Sequence, residues 1–221
     1  MRSENQDRCL LDDELGLYGV ADGVGGLPGG GQAAETAVNA VVQLFRQRHP
    51  GAEPDPAAIV AEVHRRVSEA GQRVSPLFGI ATTLTFGWRT GDRLVIAHIG
   101  DSRCYRWRGG RLDCLTEDHS VENLARSRGE VCPPAHRLAL VRCVGQPPAP
   151  PPDVIDQPLT GGERYLFCTD GICRVVSDRE IGGILGRPGS PGELLHELVA
   201  LALRRGGPDN ASGVLVFVDE G

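Results

Sequence analysis

A layered α+β fold with mainly antiparallel sheets is predicted by three features of the sequence. Apolar runs of strand length outnumber the helical patterns, the helical patterns come in pairs, and no strand–helix alternation repeats along the chain. The 221 residues are enough for one sizeable core, and no internal repeat or second composition zone is visible, so residues 1–221 are read as one domain.

The elements follow in order. Cys9–Asp12 and Leu15–Ala21 read as a short hairpin. Ala34, Val38, Val41 and Phe45 recur at helical spacing, which predicts a helix from about Gln32 to Arg48. Asp55-Pro56 is a capping side chain followed by proline in the first turn, and Ile59, Val63, Val67 and Ala70 form the apolar stripe of the helix it opens. Ala81–Trp88, Arg93–Ile99, Arg103–Arg108 and Arg111–Leu115 read as a strand meander, with Gly109-Gly110 as its two-residue hairpin turn. Asp118 or Ser120 begins a short helix that Gly129 ends; residues 129–137 read as irregular and Leu138–Val144 as extended. Pro147 to Pro152 is a stiff connector. Val154–Leu159 and Arg164–Thr169 are strands, Ser177–Glu180 and Ser190–Glu193 are capping boxes, and Ala211–Val218 is a final strand.

Composition narrows the function. The formal charge is −6 and no basic face stands out, which argues against nucleic acid. No stretch is long and apolar enough for a membrane span, and no secretory leader is visible. All 23 basic residues are Arg, so no mechanism needing a lysine amine applies. Seven irregularly spaced Cys with no Cys-x-x-Cys argue against zinc and for a reducing, cytoplasmic setting. His49, His64, His136 and His196 read as surface positions, and His98 as a structural imidazole.

The chemistry is concentrated in acidic corners. Asp22-Gly23 ends an apolar run, and a carboxylate at a strand end followed by glycine can offer side-chain and carbonyl oxygens to one hard cation. Asp101, Asp170 and Asp209 stand in similar glycine-rich settings, and Asp7 follows Asn5-Gln6. Taken singly each corner also reads as a plain turn, and Asp101-Ser102-Arg103 as a turn with a local ion pair. Converging carboxylates would repel one another, and divalent cations would remove that cost; oxygen ligands favour Mg²⁺ or Mn²⁺ over zinc.

Seven motifs occur in one order: Arg2-x-x-Asn5-Gln6-Asp7, Val20-Ala21-Asp22-Gly23-Val24-Gly25-Gly26, Ala81-Thr82-Thr83, Ile99-Gly100-Asp101-Ser102-Arg103, Thr116-Glu117-Asp118-His119-Ser120, Cys168-Thr169-Asp170-Gly171 and Gly207-Pro208-Asp209-Asn210. Together they resemble the type 2C metal-dependent serine/threonine protein phosphatases, the PPM family, in its compact bacterial form. The resemblance implies a four-layer α-β-β-α sandwich with the metal site at one end. It implies that Asp22 bridges two Mn²⁺ or Mg²⁺ ions, that the Gly23 carbonyl ligates one and Asp170 and Asp209 the other, and that Asp101 with Asp170 holds a weaker third. Asp7 would act through water, and Arg2 would bind phosphate. Arg2, Asp22 and Asp170 are the catalytic candidates. Residues 120–144 match the family's flap.

The implied activity is hydrolysis of phosphoserine and phosphothreonine by a metal-activated water, in a monomer whose partners are phosphoproteins and a cognate kinase. The alternatives are a catalytically weak phosphoprotein-binding module and a hydrolase of small phosphoesters. Three departures stand out. Gln6 replaces a frequent Glu, Val24 stands where many eukaryotic members carry His, and the family's first strand, ahead of the arginine motif, is absent from this sequence: either the start codon is misassigned or the sheet lacks an edge strand.

Overall fold

The computed structural model describes residues 4–25, 29–49 and 51–219; Arg2 and Gly26 of the motifs above lie outside them. Two antiparallel sheets stack face to face. The first has the order β1-β2-β3-β4-β7, from β1 (Asp7–Asp12), β2 (Leu17–Asp22), β3 (Leu84–Thr90), β4 (Arg93–Ile99) and β7 (Asp153–Pro158). The second has the order β6-β5-β8-β9, from β5 (Arg103–Arg108), β6 (Arg111–Cys114), β8 (Arg164–Cys168) and β9 (Gly213–Phe217).

Strand periodicity builds the layers, because successive side chains point to opposite faces. From the first sheet, Leu17, Ala21, Phe86, Trp88, Ala97 and Ile99 pack under α1 (Gly30–Arg46) and α2 (Pro56–Val74). Their alternates Val20, Leu94 and Ile96 meet Cys104, Tyr165, Phe167 and Val214 of the second sheet in the central layer. The alternates of those residues, Tyr105, Leu166, Cys168 and Leu215, pack under α5 (Asp178–Leu185) and α6 (Pro191–Arg204). The result is the four-layer α-β-β-α sandwich. Two short helices, α3 (Val121–Ser127) and α4 (Asp170–Cys173), lie near one end of it. No helix among the described residues is long and apolar enough to cross a membrane.

Local signals explain the boundaries. Asp55 caps α2 by accepting from Ala57 N at 3.0 Å. Ser190 caps α6: its Oγ accepts from Glu193 N at 3.3 Å while Glu193 Oε2 accepts from Ser190 N at 2.8 Å. Ser190→Ala is expected to cost about 1 kcal/mol, and so to lower the thermal midpoint by about 2–4 °C in a calorimetric scan.

Several expectations shift. The first helix begins at Gly30, not Gln32, behind Gly29 at φ 83. The strand read from Ala81 begins at Leu84, because Thr82 forms isolated bridges to Gly23 and Val144 instead. Of Leu138–Val144, only Leu140 and Val144 pair, each through one bridge. Ser120, not Asp118, caps α3, accepting from Asn123 N at 3.2 Å. A 3-10 turn, Pro134–His136, sits in the segment read as irregular. His64 is buried rather than on the surface, and its Nδ1 accepts from Gly145 N at 3.2 Å.

Candidate metal centre

Antiparallel pairing delivers the acidic corners to one end of the sandwich. Asp7 opens β1 and Asp22 closes β2, and the two are register partners. Asp101 lies in the three-residue crossing from β4 in the first sheet to β5 in the second. Asp170 follows β8, and Asp209 precedes β9. Asp22, Gly23, Asp101, Asp170 and Asp209 line one cavity of about 300 Å³, with Gln6 and Asn210 at one side and Leu138–Leu140 of the flap segment at another. Asp7 does not line it; its carboxylate is buried beneath.

Each corner is anchored by its own hydrogen bonds. Asp22 N donates to Thr83 Oγ1 at 2.9 Å, and Asp22 O accepts from Thr83 N at 2.8 Å and from Thr82 Oγ1 at 2.9 Å. Thr83 Oγ1 lies 2.9 Å from Ser102 Oγ, which ties the Asp22 corner to the Asp101 corner. Thr169 Oγ1 donates to Asp7 Oδ2 at 2.9 Å and accepts from Ser212 N at 3.1 Å. Gln6 N donates to Asn210 Oδ1 at 3.0 Å, closing the ring between the first and last motifs. Two glycines are required by close approach: a Cβ on Gly23 would stand 2.3 Å from the Gly30 backbone, and one on Gly171 would stand 1.8 Å from Asn210 O.

The Asp101 crossing rests on two histidines, His119 of the Thr116–Ser120 motif and His98, the imidazole read from the sequence as structural. Gly100 N donates to His119 Nδ1 at 3.1 Å, and Gly100 O accepts from His119 N at 2.7 Å. With Nδ1 accepting, His119 Nε2 carries the proton and donates to Asp153 Oδ2 at 2.9 Å. His98 packs on it with ring centroids 4.6 Å apart, bonded to Thr85 Oγ1 at 2.8 Å and to Glu117 O at 3.0 Å. Burial, seconded by His119, pushes His98 down to about 4. A histidine with a lowered folded pKa contributes stability that is complete above its ordinary value of 6.5 and is lost as pH falls toward 4. The difference corresponds to about 3 kcal/mol. Urea melts at pH 7 and pH 4.5, with His98→Asn alongside, check this: the wild type should lose more stability on acidification than the variant.

The electrostatics of the cavity are unfavourable as they stand. Burial pushes Asp22 up to about 10, with the charges of Asp7, Asp170 and Asp101 adding to it. Burial and then Asp170 push Asp101 up to about 7, against the pull of Arg174. Asp7 is also raised, mainly by burial, and its Oδ1 is buried without a hydrogen-bond partner among the described residues. Such a site favours cation binding. The donors are carboxylate oxygens and a glycine carbonyl, and they fit a hard divalent ion. Among the described residues, no group of three or more His, Cys, Asp or Glu is drawn in to ion-holding distance.

The protein phosphatase 2C family model matches residues 2–180. This chain belongs to that family. The PstP serine/threonine protein phosphatase of Mycobacterium tuberculosis is 32% identical over 227 residues, covering 99% of this chain and 43% of that protein. The chain therefore spans less than half of that relative's length. The structure of the S. agalactiae serine/threonine phosphatase is similar with a TM-score of 0.88 at 27% identity, covering 99% of this chain and 95% of that one. The catalytic domain of PstP in complex with 2 manganese ions has a TM-score of 0.83 at 33% identity, covering 99% and 94%.

Of the phosphatase 2C candidates singled out in the sequence, Asp22, Gly23, Asp101, Asp170 and Asp209 share the cavity, Asp7 supports it from below, and Arg2 is outside the described residues. Gln6 lines the cavity with a neutral amide, and Val24 lines it with an aliphatic side chain. Arg174, which no motif named, enters it as well.

Proposed function

We propose that this chain is a Mn²⁺- or Mg²⁺-dependent phosphatase acting on phosphoserine and phosphothreonine in proteins. The observation that carries the reading is the convergence of Asp22, Asp101, Asp170 and Asp209, from both sheets, on one cavity in a chain of the protein phosphatase 2C family. Asp22, the Gly23 carbonyl, Asp170 and Asp209 would hold the ions, with Asp7 fixing the arrangement from beneath. The ions supply neutralising charge and an activated water for in-line attack on phosphorus.

The chain's own residues do the rest. Thr82, Thr83 and the strand pairing to Asp7 hold Asp22 still, so its oxygens are preorganised before substrate arrives. No imidazole lines the cavity among the described residues, so the departing alkoxide takes its proton from water. Leu138–Leu140 form an apolar wall beside the acidic floor, which suits a phosphorylated side chain presented on a peptide. The partners are phosphoproteins of a kinase–phosphatase pair. The seven cysteines are all free, which suits a reducing cytoplasm.

The test is turnover of a phosphothreonine peptide with Mn²⁺, with EDTA, and against sugar phosphates. Mn²⁺-dependent release of phosphate from the peptide, exceeding that from the sugars, is expected. Preference for the sugars would point to a small-phosphoester hydrolase, and peptide binding without turnover to a binding module; either result overturns the proposal.

A further inference from the structure

The Asp101–Asp170 side of the cavity already contains a cation that belongs to the chain. Arg174 Nη2 lies 2.5 Å from Asp101 Oδ2, and Arg174 Nη1 lies 3.0 Å from Asp170 Oδ2. One guanidinium thus bridges the two carboxylates that the family resemblance assigns to a weaker third ion. The placement follows from the local fold. Asp170 and Arg174 stand four residues apart across the short helix α4, and Arg174 N donates to Asp170 O at 2.9 Å. A side chain one turn on reaches back over its predecessor. The β4–β5 crossing then brings Asp101, 73 residues away in sequence, to the other arm of the fork.

The contacts are well shielded: the side chains of Asp101 and Asp170 are 7% and 16% exposed, and that of Arg174 is 26% exposed. Guanidinium is charged at every relevant pH, and its planar donors suit two carboxylates at once. A divalent ion entering between Asp101 and Asp170 would have to break both charge-assisted hydrogen bonds. It would also leave a positive group desolvated beside it. We propose that Arg174 is a built-in cation that takes the place of a third metal ion, limiting this chain to the two ions held around Asp22. Arg174 is then a positioning residue, holding Asp101 Oδ2 and Asp170 Oδ2 in place while Asp170 remains a ligand for the ions around Asp22.

The inference rests on the phosphatase reading, and ion counting separates the two. Equilibrium dialysis of the full chain against Mn²⁺ should give two ions per wild-type chain. Arg174→Met should gain one further, weaker ion, and Arg174→Lys should return the count to two. Asp101→Ala added to Arg174→Met should remove the extra ion again. Three ions on the wild type, or an unchanged count of two in a folded Arg174→Met chain, would overturn the role of Arg174 and leave the phosphatase reading intact. Wild-type protein that binds no Mn²⁺ would overturn both. The wild-type count decides the matter even should the variant fail to fold.

Discussion

Asp22→Asn is expected to abolish turnover of a phosphothreonine peptide, by on the order of 10³-fold or more, while the fold survives. The substitution keeps shape and size and removes one charge from the centre of the cluster. Asp22 is the carboxyl that burial and three neighbouring aspartates oppose most strongly. Ionisation of Asp22 is therefore opposed in the ion-free protein and favoured only when cations are present. Two measurements follow from that asymmetry. The ion-free variant should melt above the ion-free wild type by about 3–6 °C, the shift for relief of about 1–2 kcal/mol. Manganese should raise the wild-type midpoint and leave the variant's nearly unmoved. A variant that lost activity because it misfolded would instead melt lower under both conditions.

The second large effect is structural. Gly171→Ala should destabilise the protein by about 3 kcal/mol, because the new Cβ would stand 1.8 Å from Asn210 O and 2.7 Å from its carbonyl carbon. Both contacts are to backbone, so no side chain can rotate aside. The segment that must move carries Asp209 and the Asn210 amide that accepts from Gln6 N. Manganese affinity should therefore fall together with a thermal midpoint lowered by about 6–12 °C. Gly183→Ala is the matched control. It lies within helix α5 with nothing inside 4 Å of the added Cβ. There alanine's better helix propensity should raise stability by about 0.5–1 kcal/mol.

Much of this was legible in the sequence because it is local. The apolar runs Leu15–Ala21 and Ala81–Trp88 show where buried strands lie, and the two-residue period of a strand then sends Leu17 and Ala21 to one face and Val20 to the other. The Ser190–Glu193 and Asp55-Pro56 caps show where helices begin. Asp22-Gly23 and Asp170-Gly171 stand out as acidic corners because glycine follows each carboxylate at once. What was hidden depends on contacts distant in the chain. Arg174 is visibly four residues from Asp170, but its second partner comes from another sheet. Thr82 and Thr83 look like strand residues until Asp22 claims both hydroxyls and the Thr83 amide, while the Thr82 amide goes to Val144 O. His64 carries no local sign of burial, since the Gly145 amide that satisfies it is 81 residues away. His119 looks like a helix neighbour until Gly100 folds against it. The close approach of Gly171 to Asn210 likewise exists only once β8 and β9 have paired.

A phosphatase of this kind needs the acidic corners of both sheets to form a single site for divalent cations. A crystal grown with manganese, with anomalous differences collected at the manganese edge, tests it most directly. Peaks among Asp22, the Gly23 carbonyl, Asp170 and Asp209, with the Arg174 guanidinium still between Asp101 and Asp170, are expected. A cavity without peaks, in crystals whose metal is bound elsewhere on the surface, would contradict it.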